Sequence, residues 1–243
     1  MTAMLQVEDI GPLRVQIAQW RAQGQRIGFV PTMGNLHAGH YSLVTQARRE
    51  ADRVVASVFV NPTQFGPQED LARYPRTLAA DAAGLASHGC DLLFAPGVAQ
   101  MYPHGTSGRV EIRVPGLEDI LCGAFRPGHF SAVATVVARL FGIVQPDVAL
   151  FGAKDYQQLL VVRRMVEDLA LPVQVLSGAT VREPDGLALS SRNQYLDAAQ
   201  RQTAARLYAV LLAQRDALRA GATVAQAEGD GFRTLVAAGF RPD

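Results

Sequence analysis

The sequence has little from which a metal or disulfide framework could be built. Its two cysteines, Cys90 and Cys122, lie far apart and form no Cys-x-x-Cys pair, which excludes a zinc ribbon and a thioredoxin-type motif. Both are expected to be reduced thiols with structural roles. A net excess of one charge is also missing: 23 Lys and Arg stand against 22 Asp and Glu, a formal net charge of +1 at pH 7. Nucleic acid and anionic membrane usually demand clustered basic residues, so neither is an expected partner and any anion must be recognised locally. No apolar run is long enough to span a bilayer. Met1 to Trp20 mixes apolar residues with Glu8, Asp9, Arg14 and Gln16 and does not resemble a signal peptide. These absences point to the cytoplasm. The two common phosphate loops, Gly-x-x-x-x-Gly-Lys-Ser/Thr and Gly-x-Gly-x-x-Gly, are absent as well, so a nucleotide would have to be held in another way.

What is present is an ordinary globular composition, 49% hydrophobic and 19% charged, in a chain long enough for one large α/β domain and a small second one. Apolar runs of strand length alternate with segments of helical period, the order of a parallel sheet covered by helices. Strands are expected at Arg26 to Val30, Arg53 to Val60, Asp91 to Ala95, Val148 to Phe151 and Val173 to Leu176. Helices are expected at Ser42 to Ala51, Leu78 to His88, Phe130 to Val144 and Gln157 to Leu169. Turn residues cluster after several strands, and ligands of open α/β sheets bind at such strand ends. After Arg192 the chain becomes Ala-rich and helical, at Ala198 to Ala220 and Val224 to Ala238, with a loose connection expected around Ala220 to Gly231. The expected domains are residues 1–184 and residues 185–243.

One turn stands out. The strand ending at Val30 runs through Pro31-Thr32-Met33-Gly34-Asn35-Leu36 into His37-Ala38-Gly39-His40 at the start of an amphipathic helix. Residues three apart share a helical face, so both imidazoles can reach one ligand. Gly39 offers close backbone approach, and helix N-terminal N–H groups favour anions. A triphosphate suits this arrangement; a zinc site would need a third ligand that the sequence does not identify, and two incidental histidines are the bland alternative. Later, Phe151-Gly152-Ala153-Lys154-Asp155 follows a strand and offers an ammonium to phosphate, with Asp155 either capping the next helix or binding ribose. Leu189-Ser190-Ser191-Arg192 offers hydroxyls and a guanidinium, although Ser-Ser-Arg is also an ordinary helix cap with a surface arginine.

The ordered set Pro31-Thr32-Met33-Gly34, His37-Ala38-Gly39-His40, Phe59-Val60-Asn61-Pro62-Thr63-Gln64-Phe65, Tyr74-Pro75-Arg76-Thr77, Arg126-Pro127-Gly128-His129-Phe130, Gln145-Pro146-Asp147, Lys154-Asp155-Tyr156-Gln157-Gln158 and Leu189-Ser190-Ser191-Arg192-Asn193 closely resembles the pantothenate synthetase family. The resemblance implies a Rossmann-like nucleotidyltransferase domain with a parallel sheet and a C-terminal lid domain. It also implies a homodimer that condenses pantoate with β-alanine at the expense of ATP through a pantoyl adenylate, with Mg2+ as cofactor. By motif position, Met33, Gly34, Asn35, Leu36, His37, Ala38, Gly39, His40, Gly152, Ala153, Lys154, Asp155, Val181, Leu189, Ser190, Ser191 and Arg192 would hold ATP, and Gln64 and Gln158 pantoate. His37, His40, Lys154 and Arg192 would be catalytic, with His40 as proton donor. The resemblance also places Asn61, Tyr74, Arg126 and His129 near the site. Metal ligands are not indicated.

Departures from the family pattern are Ala153, where an acidic residue is common, Ser131-Ala132, where a glycine usually closes the segment, and Arg139, where lysine is frequent. The methyl of Ala132 is expected to narrow space beside the site. Family members usually continue beyond Asp243, so the lid is expected to be truncated and ATP binding weakened. Rival readings are a nucleotidyltransferase with a stable nucleotide product, a tRNA synthetase, and a nucleotide sensor without chemistry. Gln64 and the Gln157-Gln158 pair speak against the first, the lack of basic excess against the second, and the joint presence of His37, His40, Lys154 and Arg192 against the third.

Overall fold

A computed structural model describes residues 4–242. Among them the chain divides into two compact units, one ending at Ala179 and one beginning at Thr180.

The first unit carries β1 (Leu5–Val7), β2 (Ile27–Thr32), β3 (Arg53–Val58), β4 (Leu92–Phe94), β5 (Val148–Gly152) and β6 (Gln174–Gly178). They pair in parallel in the order β1-β4-β3-β2-β5-β6, the expected Rossmann-like parallel sheet. Its helices are α1 (Ile10–Ala22), α2 (Ala38–Glu50), α3 (Leu78–Ser87), α4 (Val98–Met101), α5 (Cys122–Phe125), α6 (His129–Val144) and α7 (Tyr156–Asp168). Side chains alternate between sheet faces with a period of two. Phe29, Val55, Leu92, Phe94, Ala149 and Phe151 meet α1, α6 and α7 in one core. Val30, Val54, Ala56, Leu93, Val148 and Leu150 meet α2 and Leu85 of α3 in the other. The central strands β2, β3, β4 and β5 are buried on both faces, which is why they read as continuous apolar runs.

Three sequence expectations need correction. The N-terminal stretch, for which no element was foreseen, contains β1 and α1, and α1 buries Leu13, Ile17 and Trp20 at helical spacing. The helix expected from Ser42 begins at Ala38, because a capping box of His37 and His40 satisfies its first backbone donors. The connection expected to be loose around Ala220 to Gly231 is a tight helix hairpin. There α8 (Ala198–Arg219) and α9 (Val224–Ala237) are separated only by residues 220–223, with Thr223 and Gln226 forming a capping box. The two helices pack closely at Gly231, where a Cβ would lie 3.2 Å from Gln214 Cγ on α8.

The second unit begins a few residues ahead of the expected boundary. Arg182 and Ala188 bridge antiparallel, and this hairpin is tied to α8 by the Arg182 guanidinium 3.7 Å from the Tyr208 ring centroid and by an Arg201–Asp185 ion pair of 2.7 Å. Those ties draw Val181 to Leu189 into the C-terminal unit. Among the described residues no helix is long and apolar enough to cross a membrane.

Candidate active site

The strand order reverses at β2, with β3 and β4 on one side and β5 and β6 on the other. The expected site residues of the first unit flank this switch point, where α/β sheets bind ligands. Pro31 helps to open it: β2 pairs with β3 through Thr32, but with β5 only at Gly28 and Phe29. Proline has no N–H to continue a second ladder, so the C-terminal ends of β2 and β5 are not laced together. The His37–His40 turn follows β2, and Lys154 follows β5.

The turn after β2 needs left-handed backbone at Gly34 (φ 85°) and Asn35 (φ 51°). Gly34 is also confined, because a Cβ there would lie 3.1 Å from Val58 Cγ1 and 3.2 Å from Asp81 Oδ2. Asp81, on α3 and 2% exposed, holds this turn. Its carboxylate accepts from Asn35 N–H at 2.9 Å, Leu36 N–H at 2.8 Å and the Thr77 hydroxyl at 3.1 Å. Asp81 is not among the expected site residues; its only trace in the sequence is an acidic residue in an otherwise apolar helix.

His37 and His40 are brought together, with ring centroids 4.1 Å apart. Gly39 N–H donates to His37 Nδ1 at 3.2 Å, and His37 N–H donates to His40 Nδ1 at 3.3 Å. Each Nδ1 is therefore an acceptor, which leaves the proton on Nε2 of both rings. Burial, then the neighbouring His37 and Lys154, push His40 down to about 3, and burial followed by Lys154 also lowers His37. Both rings are neutral at pH 7. The backbone N–H groups expected to receive an anion are thus partly used inside the turn, and the donors offered in their place are two Nε2–H groups. A ring held neutral in this way is suited to hydrogen-bond donation.

Gly152 ends β5, and Ala153, Lys154 and Asp155 form a 3-10 turn leading into α7. Asp155 makes no side-chain capping bond; its carboxylate accepts from Lys154 Nζ at 3.2 Å. Gln64 is 9% exposed and joins the turn directly, donating from Nε2 to Met33 Sδ at 3.0 Å. Gln158 lies in the first turn of α7, half-buried. Gln157 is occupied elsewhere: its amide bonds the Leu117 and Ile120 carbonyls and Cys122 N–H. Of the residues placed near the site, Asn61 donates to Gln64 Oε1 at 3.0 Å. His129 contacts the Gln64 carbonyl at 2.9 Å, and Arg126 reaches His129 at 3.0 Å. Tyr74 packs edge-on against Phe65. Ser131 donates to Glu111 at 2.9 Å, Ala132 is fully buried in α6, and Arg139 donates to the Gln100 carbonyl at 2.8 Å.

The remaining expected residues belong to the second unit. Val181 accepts from Leu189 N–H at 3.0 Å. The Ser190 hydroxyl accepts from Arg192 N–H at 3.3 Å, capping a 3-10 turn at Ser191–Tyr195, and Arg192 is exposed. Among the described residues no group of three His, Cys, Asp or Glu is gathered as a metal site. Cys90 is buried, and desolvation pushes its thiol up to about 12; Cys122 is exposed; both are free.

Comparison with known proteins identifies the family. The model of the family described as pantoate-beta-alanine ligase matches residues 6–240. The pantothenate synthetase of Xylella fastidiosa (strain M12) is 59% identical over 237 residues, covering 98% of this chain and 84% of the relative. That of Xanthomonas axonopodis pv. citri (strain 306) is 59% identical over 235 residues, covering 97% and 84%. The crystal structure of pantothenate synthetase from Thermus thermophilus superposes with a TM-score of 0.90 at 55% identity, covering 96% of this chain and 83% of that one. The pantoate-beta-alanine ligase from Francisella tularensis, complexed with beta-gamma ATP and beta-alanine, superposes with a TM-score of 0.81 at 40% identity, covering 86% and 79%. A family match across nearly the whole chain, together with a shared fold, places this protein in the pantoate-beta-alanine ligase family.

Proposed function

We propose that the switch-point cleft holds ATP on the turn from Met33 to His40 and on Gly152 to Asp155, beside pantoate held by Gln64 and Gln158. The chain condenses pantoate with β-alanine at the expense of ATP, and the intermediate is a pantoyl adenylate. The observation that carries the residue assignment is the pair of neutral imidazoles, 4.1 Å apart, each with Nδ1 committed to backbone. Two neighbouring Nε2–H donors together with the Lys154 ammonium complement a polyphosphate, and Gln64 on Met33 sets a second, carboxylate-sized partner beside it.

In the first step a pantoate carboxylate oxygen attacks the α-phosphorus, the bond from that phosphorus to the bridging oxygen breaks, and pyrophosphate leaves with the electron pair. In the second, the neutral amine of β-alanine attacks the acyl carbon, AMP departs, and the amine proton is released. Neither step needs a covalent enzyme intermediate, so catalysis is positioning and charge stabilisation. His37 and His40 donate hydrogen bonds to phosphate oxygens that gain charge, and Lys154 offsets that charge. Val181, Leu189, Ser190, Ser191 and Arg192 of the C-terminal unit are assigned to ATP on family membership and on their hydroxyl, guanidinium and backbone donors. By the same reasoning that unit acts as a lid, the enzyme is a homodimer, and its compartment is the cytoplasm.

Magnesium takes most of its ligands from substrate phosphates and water, with one or two carboxylates. Asp155 is the carboxylate next to Lys154 that suits this, since the oxygens of Asp81 already accept three hydrogen bonds. The ion would supply further neutralisation of phosphate charge.

The test is ATP–pyrophosphate exchange with and without pantoate, followed by AMP release on adding β-alanine. Exchange should require pantoate, and AMP should appear only with the amine. Pantoate-independent exchange, or ATP binding without turnover, overturns the reading.

A further inference from the structure

A glutamine that grips an acid must present the correct end of its amide, and the chemistry around Gln64 decides which end that is. The Thr63 backbone N–H can only donate, and it lies 3.3 Å from Asn61 Oδ1. That contact identifies the oxygen of the Asn61 amide without ambiguity from side-chain flips. The Tyr102 hydroxyl donates to the same oxygen at 2.7 Å, and the Thr63 hydroxyl lies 3.0 Å from it. With its oxygen so engaged, Asn61 turns Nδ2 to Gln64 Oε1 at 3.0 Å. Gln64 is left with Nε2 facing Met33 Sδ at 3.0 Å. A thioether is a weak acceptor, readily exchanged for a carboxylate or hydroxyl oxygen.

The chain of polarity is buried, with Asn61 1% and Tyr102 4% exposed, so water does not offer an alternative arrangement. The backbone of Gln64 is fixed separately. Arg126 Nη1 donates to His129 Nε2, so His129 Nδ1–H donates to the Gln64 carbonyl, and Arg126 is itself gripped by both oxygens of Glu69 at 2.7 and 2.6 Å.

We propose that Tyr102, acting through Asn61, is a positioning residue that holds the Gln64 amide with its N–H toward the bound acid. The inference rests on the reading of Gln64 as a pantoate-holding group. Tyr102 touches no reacting atom in this role. Burial raises its phenol above the ordinary value, so the hydroxyl keeps its proton, while the positive charges of Arg109 and Arg139 nearby strengthen it as a donor. Arg139, one of the departures from the family pattern, contributes to this field while donating to the Gln100 carbonyl.

The experiment is steady-state kinetics of the full chain carrying Tyr102→Phe, Gln64→Ala and both together. Tyr102→Phe removes one hydroxyl and keeps the ring. The expected result is a rise in pantoate KM of about tenfold with the KM values of ATP and β-alanine unchanged, and no further rise when Tyr102→Phe is added to Gln64→Ala. An unchanged pantoate KM in Tyr102→Phe overturns the proposal. So does an equal rise in both backgrounds, because Tyr102 would then act independently of Gln64. If Gln64→Ala itself leaves pantoate KM unchanged, the pantoate-holding reading fails and the relay loses its purpose, a result distinct from the other two. Asn61→Asp is the second variant, nearly isosteric. It sets an oxygen against Gln64 Oε1, favours the reversed amide, and should raise pantoate KM while sparing that of ATP; a normal pantoate KM there also refutes the relay.

Discussion

Replacing Asp81 by asparagine isolates the support beneath the turn proposed to hold the nucleotide. The carboxylate accepts three hydrogen bonds, from Asn35 N–H, Leu36 N–H and Thr77 Oγ1, at 2.8 to 3.1 Å and at a site that is 2% exposed. An asparagine of nearly the same shape can keep its oxygen on Leu36 and Thr77, but it then turns an NH2 group toward the Asn35 N–H. One hydrogen bond to a charged acceptor is lost, worth about 1.5–3 kcal/mol, and a donor is left facing a donor. A loss of about 3 kcal/mol in a chain of this length lowers Tm by roughly 6–12 °C. The turn is also where His37 and His40 take their alignment, so ATP KM should rise by about tenfold or more, while pantoate KM changes less because Gln64 is anchored by Asn61 and His129. Thermal unfolding followed by circular dichroism and ATP titration of the turnover rate measure both quantities. A Tm within about 1 °C of the parent, or an unaltered ATP KM, would refute the argument that Asp81 holds the turn.

Two further outcomes follow from the buried titratable groups. His40 is held down to about 3 in the folded protein against an ordinary value of about 6.5 when unfolded, so between those values the unfolded chain binds the extra proton. Stability is therefore full above pH 6.5 and declines as pH falls, by up to about 1.4 kcal/mol per unit from this group; urea unfolding at pH 7, 6 and 5 should show a shallower decline in His40→Ala, and an identical slope would contradict it. For the thiols, native alkylation with iodoacetamide should label exposed Cys122 and leave Cys90 unmodified, since Cys90 is buried and its thiol is pushed up to about 12; intact-mass analysis should find one adduct, and labelling of Cys90 before unfolding would show that its environment is misjudged.

The sequence by itself determined much of the fold, because each central strand of a doubly covered sheet must be apolar on both faces and is bounded by turn residues. Runs such as Arg53 to Val58 and Val148 to Gly152 carry that signal locally. It also singled out the turn proposed to hold the nucleotide, since His37, Gly39 and His40 are neighbours in the chain and a capping box at the start of the helix puts the imidazoles together. Tertiary structure decided what comes from distant segments. Asp81 reaches Asn35 and Leu36 across more than forty residues, and Tyr102 reaches Asn61 across a similar gap; neither pairing leaves a periodic or short-range trace. The same holds for the state of the histidines. Their neutrality arises from burial and from Lys154, which follows another strand, and electrostatics and desolvation depend on distance through space, whereas sequence patterns record only distance along the chain.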